Sequence, residues 1–126
     1  MTGEVSRKQS AVSFLRLASS GKPREAFDTY VGGNFKHHNA YFRGGPESLI
    51  AAMEESAQRN PDKVIEFQRT LQDGDFVAVH SRVRMNLSDP GASLVHIFRF
   101  NGDWIVELWD VAQAVPKDCP NENGMF

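Results

Sequence analysis

The sequence predicts a single α+β domain in which helices come first and an antiparallel sheet follows. In the first half of the chain, apolar residues recur every three or four positions, which is typical of amphipathic helices. In the second half, runs rich in β-branched and aromatic residues alternate with short turn sequences, which is typical of a strand meander. A length of 126 residues fits one hydrophobic core and leaves no room for two. We therefore expect one domain over residues 1–126, with its core over about 8–116 and a tail over 117–126.

Three helices are predicted from their own start and stop signals. A capping box or a proline in the first turn marks each start, and glycine or Asn-Pro marks each end. The helices then run from Ser6-Gln9 to Gly21, from Pro23 to Gly32-Gly33, and from Pro46 to Asn60-Pro61. The stretch between the second and third helices is polar and aromatic, and contains His37 and His38.

Four strands follow, and short turns separate them. We predict strands over 64–71, 76–87, 93–100 and 104–115, and the dipeptide Asn101-Gly102 is the strongest hairpin signal in the chain. Counting outward from that turn places His96 opposite Glu107 and Phe98 opposite Ile105, so His96 and Asp110 are offset by about three residues. From Pro116 the chain is rich in Pro, Asn and Gly. We expect this tail to be mobile and dispensable for the fold, with Cys119 as an inert thiol.

Several strands carry apolar residues on both faces, as in Leu94-Val95 and Ile105-Val106. A sheet that is covered on one side only should alternate apolar and polar residues. One face is expected to meet the helices, and the other is most simply buried by a second copy of the chain. The pattern therefore predicts a homodimer.

Composition excludes several classes of partner. The chain has 14 Lys and Arg against 16 Asp and Glu, for a net charge of −2, and its basic residues are scattered, so we expect no nucleic-acid binding. No apolar run approaches the ~20 residues that a membrane helix needs, so we expect no membrane partner. Residues 1–10 lack the apolar segment of a secretory signal, and the single cysteine cannot form an internal disulfide. These features together predict a cytoplasmic protein.

A few ionisable residues interrupt apolar strands and are candidates for function. His96 and Asp110 are each the polar member of an apolar strand face, and a buried carboxylate requires a partner or a role. His80 is equally compatible with a structural role, and Glu107 is expected to face solvent, an edge or a subunit contact. His37 and His38 point opposite ways in extended chain, so only one of them can enter a given pocket. No Gly-rich phosphate loop and no tight spacing of metal ligands is present, so we expect neither a cofactor nor a metal.

Several motifs resemble the SnoaL-like polyketide cyclase family, part of the superfamily of nuclear transport factor 2 and ketosteroid isomerase. The resemblance covers roughly residues 8–116. Its most specific parts are His38-Asn39, Gly44-Gly45-Pro46 before the third helix, and the hairpin from Ile97 to Val111. It implies a cone-shaped domain in which a strongly curved antiparallel sheet wraps around three helices and encloses a largely apolar pocket. The family commonly dimerises through the outer surface of the sheet.

The resemblance also implies roles for individual residues. His38 falls where ketosteroid isomerases place their general-base aspartate, and His96 falls where they place the protonated aspartate of the oxyanion hole. Neither aspartate is present here, so steroid isomerisation by that mechanism does not follow. We expect His38, His96 and Asp110 to be the acid/base groups. The residues expected to bind substrate are His80, Phe98, Leu108 and Trp109.

The predicted function is a cofactor-independent acid/base reaction on a small hydrophobic carbonyl compound, of the cyclase, aldol-condensation or isomerase type. A histidine titrates near working pH, and a second donor can hold the oxygen of an enolate. Two alternatives remain open at this point. One is a non-catalytic binder of a small hydrophobic molecule in the same pocket, and the other is an interaction module whose pocket is vestigial.

Overall fold

A computed structural model describes residues 6–126, which form three helices and one five-stranded sheet. The helices are α1 (Arg7–Ser19), α2 (Pro23–Tyr30) and α3 (Pro46–Arg59). The predicted capping box is confirmed, because Gln9 N donates to Ser6 Oγ at 3.1 Å and Ser6 N donates to Gln9 Oε1 at 3.0 Å. Residues 1–5, which begin the N-terminal stretch on which the predicted localisation depends, lie outside the described residues.

The sheet has the strand order β1-β5-β4-β3-β2 and is curved and unclosed. Its strands are β1 (Val31–His37), β2 (Val64–Asp73), β3 (Phe76–Arg84), β4 (Ala92–Asn101) and β5 (Trp104–Ala114). Strands β2 to β5 form the predicted antiparallel meander, and the α+β fold class is confirmed. Strand β1 was not predicted, and it pairs with β5 in parallel. At Gly32 a side chain would meet Trp104 Cβ at 3.2 Å, so this glycine permits the close approach of β1 to β5.

The hydrophobic core lies between the helices and one face of the sheet, which we call the inner face. Its buried sheet residues include Val77, Val79, Phe98, Phe100, Ile105 and Leu108. From α1, Phe14 packs edge-on against Phe98, with the ring centroids 5.7 Å apart, and against Phe27 of α2 at 5.2 Å. The helices therefore pack on the inner face, which is also the face that carries His96 and Asp110.

The pairing of β4 with β5 differs from the predicted register. Asn101 lies opposite Trp104, and a bulge shifts the register between Arg99 and Phe100, so that Phe98 lies opposite Leu108 and His96 opposite Asp110. The predicted three-residue offset is wrong. Pairing begins directly beside the turn, and the bulge adds one residue to β5. Because of this extra residue, His96 and Asp110 are direct neighbours across the two strands.

The opposite face of the sheet, which we call the outer face, also carries large apolar side chains. Several of its large side chains are well exposed in the single chain: Leu71 63%, Phe76 45%, Ile97 38% and Val111 67%. Toward one side of this face, the ring of Phe126 stacks on His80 with a centroid separation of 5.9 Å, and the Arg82 guanidinium lies 5.0 Å from the same ring. The tail thus makes an aromatic contact with the sheet that its composition did not predict.

None of α1, α2 and α3 combines the length and the apolar character required to span a bilayer, and the residues described contain no other helix.

Candidate functional site

The centre of the candidate site is the pair formed by His96 on β4 and Asp110 on β5. The two residues lie opposite each other on the inner face. His96 is only 9% exposed, and its Nδ1 has no hydrogen-bond partner within residues 6–126. Burial lowers the pKa of His96 from 6.5 to about 4, although the nearby Asp110 carboxylate acts in the opposite direction. The imidazole is therefore neutral at neutral pH, and its N–H group is a hydrogen-bond donor without a charge.

The carboxylate of Asp110 is held in place by Asn39, in the loop after β1. Asn39 Nδ2 donates to Asp110 Oδ1 at 3.2 Å and to Oδ2 at 3.0 Å. Asn39 is itself fixed, because its backbone N donates to His37 Nδ1 at 3.1 Å and its Oδ1 accepts from Tyr41 N at 3.0 Å. The loop therefore positions the carboxylate beside His96 with its two oxygens oriented.

Of the two adjacent histidines in this region, His37 points inward and His38 does not. His37 is buried, and because its Nδ1 accepts from Asn39, its Nε2 carries the hydrogen and donates to the backbone oxygen of Arg43. Both ring nitrogens are occupied, so His37 stabilises the loop. Side chains of neighbouring strand residues point to opposite faces, so His37 and His38 point in opposite directions. The local sequence does not indicate which of the two points inward.

The imidazole of His38 lies on the outer side of β5. It stacks on Trp109 with ring centroids 5.0 Å apart, and its Nε2 donates to Glu107 Oε2 at 2.6 Å. This hydrogen bond lowers the pKa of Glu107, which also accepts from Arg99 Nε at 2.9 Å. The structure therefore does not bring the His38 imidazole to His96, contrary to the expected arrangement. Glu107, which was expected to face solvent, an edge or a subunit contact, lies between His38 and Arg99 with its side chain only 12% exposed.

None of the four residues predicted to bind substrate lines the cavity that contains His96. On the outer face, His80 Nδ1 faces the Arg69 guanidinium and its Nε2 donates to Ser93 Oγ at 2.8 Å. Burial, and after it the charge of Arg69, lowers the pKa of His80. Trp109 is on the same outer side, whereas Phe98 and Leu108 are buried in the core beneath the His96–Asp110 pair. Phe98 and Leu108 are therefore core residues, and they do not line either of the two cavities beside the pair.

Two neighbouring cavities flank the pair and share Leu94. The inner cavity, of about 230 Å³, is mostly apolar and is bordered by α1, α3, β2, β3 and β4; it includes His96. The edge cavity, of about 480 Å³, lies where β5 continues beyond the end of β1. It is bordered by Asp110 and by His38, Asn39, Ala40 and Tyr41 of the loop. His96 and Asp110 thus each border one of two adjoining spaces.

Asn39 is the site residue that was not predicted as functional. The sequence signal for it was present in the His38-Asn39 motif, but its contact with Asp110 joins residues far apart in the chain. Among residues 6–126, no group of three or more His, Cys, Asp or Glu side chains is placed to hold a metal ion. The site as described consists of protein acid/base and hydrogen-bonding groups.

The protein is therefore a small α+β domain in which the His96–Asp110 pair lies between an apolar inner cavity and a second cavity at the edge of the sheet. A family model described as the SnoaL-like domain matches residues 11–108, and the chain belongs to that family. A search of curated proteins gives no match.

Solved structures with the same fold share little sequence with the chain. A protein from Bacillus cereus that is provisionally assigned as a polyketide cyclase is 22% identical, with a TM-score of 0.73, over 85% of this chain and 74% of that one. A nuclear transport factor 2-like protein of unknown function from Cytophaga hutchinsonii is 13% identical, with a TM-score of 0.70, over 90% of this chain and 95% of that one. At these identities the likeness shows the fold alone.

Proposed function

We propose that this protein catalyses a cofactor-independent proton transfer on a small hydrophobic carbonyl compound, of the type used in cyclisation, aldol condensation or isomerisation. The observation that supports it best is the direct pairing of His96 with Asp110 at the junction of two cavities. Membership in the SnoaL-like family and the likeness to a provisionally assigned polyketide cyclase agree with this class of reaction.

The two groups can divide the chemistry between them. The Asp110 carboxylate accepts a proton from the carbon next to the carbonyl group, which leaves an enolate. An N–H of the neutral His96 imidazole then donates a hydrogen bond to the enolate oxygen, where negative charge develops. Asn39 acts as a positioning residue, because its amide fixes both carboxylate oxygens. The apolar walls exclude water and strengthen both interactions.

Proton exchange tests the proposal without knowledge of the natural substrate. Phenylacetone would be incubated with the protein in D₂O, and loss of the proton signal beside the carbonyl followed by NMR. We expect exchange above the buffer rate, and a decrease of roughly 10²–10⁴-fold in Asp110→Asn, which is the usual contribution of a general base. His38→Gln is the comparison variant, because His38 also borders the edge cavity. Its imidazole is bonded to Glu107 and stacked on Trp109, so we expect a much smaller decrease than in Asp110→Asn. If His38→Gln abolished exchange and Asp110→Asn did not, the assignment would be wrong.

A non-catalytic binder is the second candidate, and one observation favours it. Both oxygens of Asp110 already accept hydrogen bonds from Asn39, so the carboxylate has a structural partner. Binding of the ketone with no exchange above the buffer rate would support this alternative and exclude the enzyme.

A further inference from the structure

The inner cavity contains a cation that the proposed chemistry does not use. Most of its walls are apolar side chains: Leu15 and Ala18 of α1, Met53 of α3, Ile65, Val83 and Leu94 of the sheet, and Met85 directly after β3. The polar residues among them are Ser19, Lys63 and His96. Ser19 Oγ donates back to the oxygen of Arg16 in its own helix, so Lys63 and His96 are the polar groups available to a ligand.

Lys63 lies just before β2 and is only partly exposed. Its ammonium group donates to Ser56 Oγ on α3 at 2.9 Å. Within residues 6–126, it forms no ion pair with a carboxylate: the salt bridges found involve other basic residues. Burial lowers the pKa of Lys63, because the ammonium group loses part of its hydration. The Ser56 hydroxyl replaces only part of that hydration.

We propose that Lys63 is a ligand-binding residue that holds the carboxylate of a small organic acid whose apolar body fills the inner cavity. The proposal rests on the function proposed above and narrows its substrate class to carbonyl compounds that also carry an acid group. Lys63 is partly exposed and His96 is buried, and both line this cavity together with apolar side chains. A ligand with its acid group at Lys63 therefore places its apolar part against the same walls that His96 borders.

The surroundings of Lys63 favour a carboxylate over a phosphate. A phosphate group carries up to two charges and is usually bound by several backbone N–H groups or by arginine. Here Lys63 provides one ammonium group, which is bonded to one hydroxyl, beside a largely apolar cavity. A cavity of about 230 Å³ is also below the usual range for drug-sized ligands, which suits a small acid.

A purely structural role for Lys63 is the competing explanation. Lysine stems often cover apolar surface while the charged end reaches water. In this protein the ammonium group of Lys63 donates to Ser56, and this hydrogen bond links α3 to the segment just before β2. That role predicts a change in stability when Lys63 is replaced, and no change in the ligand preference of the cavity.

A matched pair of ligands separates these explanations: 4-oxo-4-phenylbutanoate and its amide, which differ only in the charge of one end. Binding would be followed by NMR of methyl-labelled methionines, because Met53 and Met85 line the cavity and Met125 does not. We expect the wild type to bind the acid about five- to tenfold more tightly than the amide, the effect of one partly solvated charged hydrogen bond. Lys63→Met should bind the acid and the amide equally, and Lys63→Arg should retain the preference for the acid.

Several results would overturn the inference: equal affinity of the wild type for acid and amide, a preference that survives in Lys63→Met, or no shift of Met53 and Met85 with either compound at millimolar concentration. Exchange beside the ketone, measured on the same samples in D₂O, separates this inference from the proposed reaction. An acid preference without exchange would support Lys63 and exclude the enzyme. Exchange without an acid preference would support the enzyme and exclude the role of Lys63.

Discussion

Protonation of His96 should make the protein markedly less stable in mild acid. In the folded chain burial lowers the pKa of this residue to about 4, whereas in the unfolded chain it has its ordinary value of 6.5. Between these two values the unfolded chain binds a proton that the folded chain does not. The free energy of unfolding therefore falls as pH decreases through this window, and the contribution is complete above pH 6.5.

The size of the effect follows from the two pKa values. Going from about pH 7 to about pH 5, the His96 contribution to the free energy of unfolding should decrease by about 2 kcal/mol. Urea denaturation at both pH values measures it directly, since the midpoint changes while the slope remains constant. The chosen pH range stays above the values at which most carboxylates titrate, so their contribution to the difference is small.

Two variants isolate His96 from the other histidines. His96→Gln should lose the part of the acid sensitivity that His96 contributes, about 2 kcal/mol, and keep the part that comes from His80, whose pKa is also lowered. Asp110→Asn should retain or increase the sensitivity, because it removes the carboxylate that favours the charged imidazole. If His96→Gln showed the full wild-type loss of stability between the two pH values, the assignment of the effect to this residue would be refuted.

Three further predictions concern parts of the fold around the site. Gly91→Ala should lower the free energy of unfolding by about 1–3 kcal/mol more than Gly102→Ala, as measured by urea denaturation. Both glycines have positive φ, but only at Gly91 would a Cβ lie 2.5 Å from a backbone oxygen, that of Val83. Equal losses in the two variants would contradict this reasoning. The apolar outer face predicts a dimer of the 14.1 kDa chain in sedimentation and a monomer for Ile97→Asp, whereas a wild-type monomer at micromolar concentration would refute it. Phe126→Ala should lower the melting temperature by about 2–4 °C through loss of the His80 and Arg82 contacts, and an unchanged temperature would restore the expectation of a dispensable tail.

Local sequence signals were sufficient for most elements of the fold. The capping box at Ser6, the first-turn prolines and the Asn101-Gly102 turn act within a few residues, and the helices and the four-strand meander occur where these signals place them. The alternation of side chains also indicated that His96 and Asp110 each share a face with buried apolar residues, which the structure shows. Strand β1 has no comparable local signal, because glycines and polar residues dominate it and its pairing depends on contact with the distant β5.

The sequence alone made His96 and Asp110 candidates for function, and the tertiary structure decided that they meet. Pairing beside the turn and the bulge in the β4–β5 hairpin place His96 directly opposite Asp110, and the pairing of β1 with β5 turns His37 inward and His38 outward. The contacts of Asn39 with Asp110 and of Lys63 with the inner cavity likewise join segments that are distant in the chain. The physical reason is that a strand residue has two possible faces, and the choice between them is made by pairing register and by burial of the whole sheet, neither of which a local pattern contains.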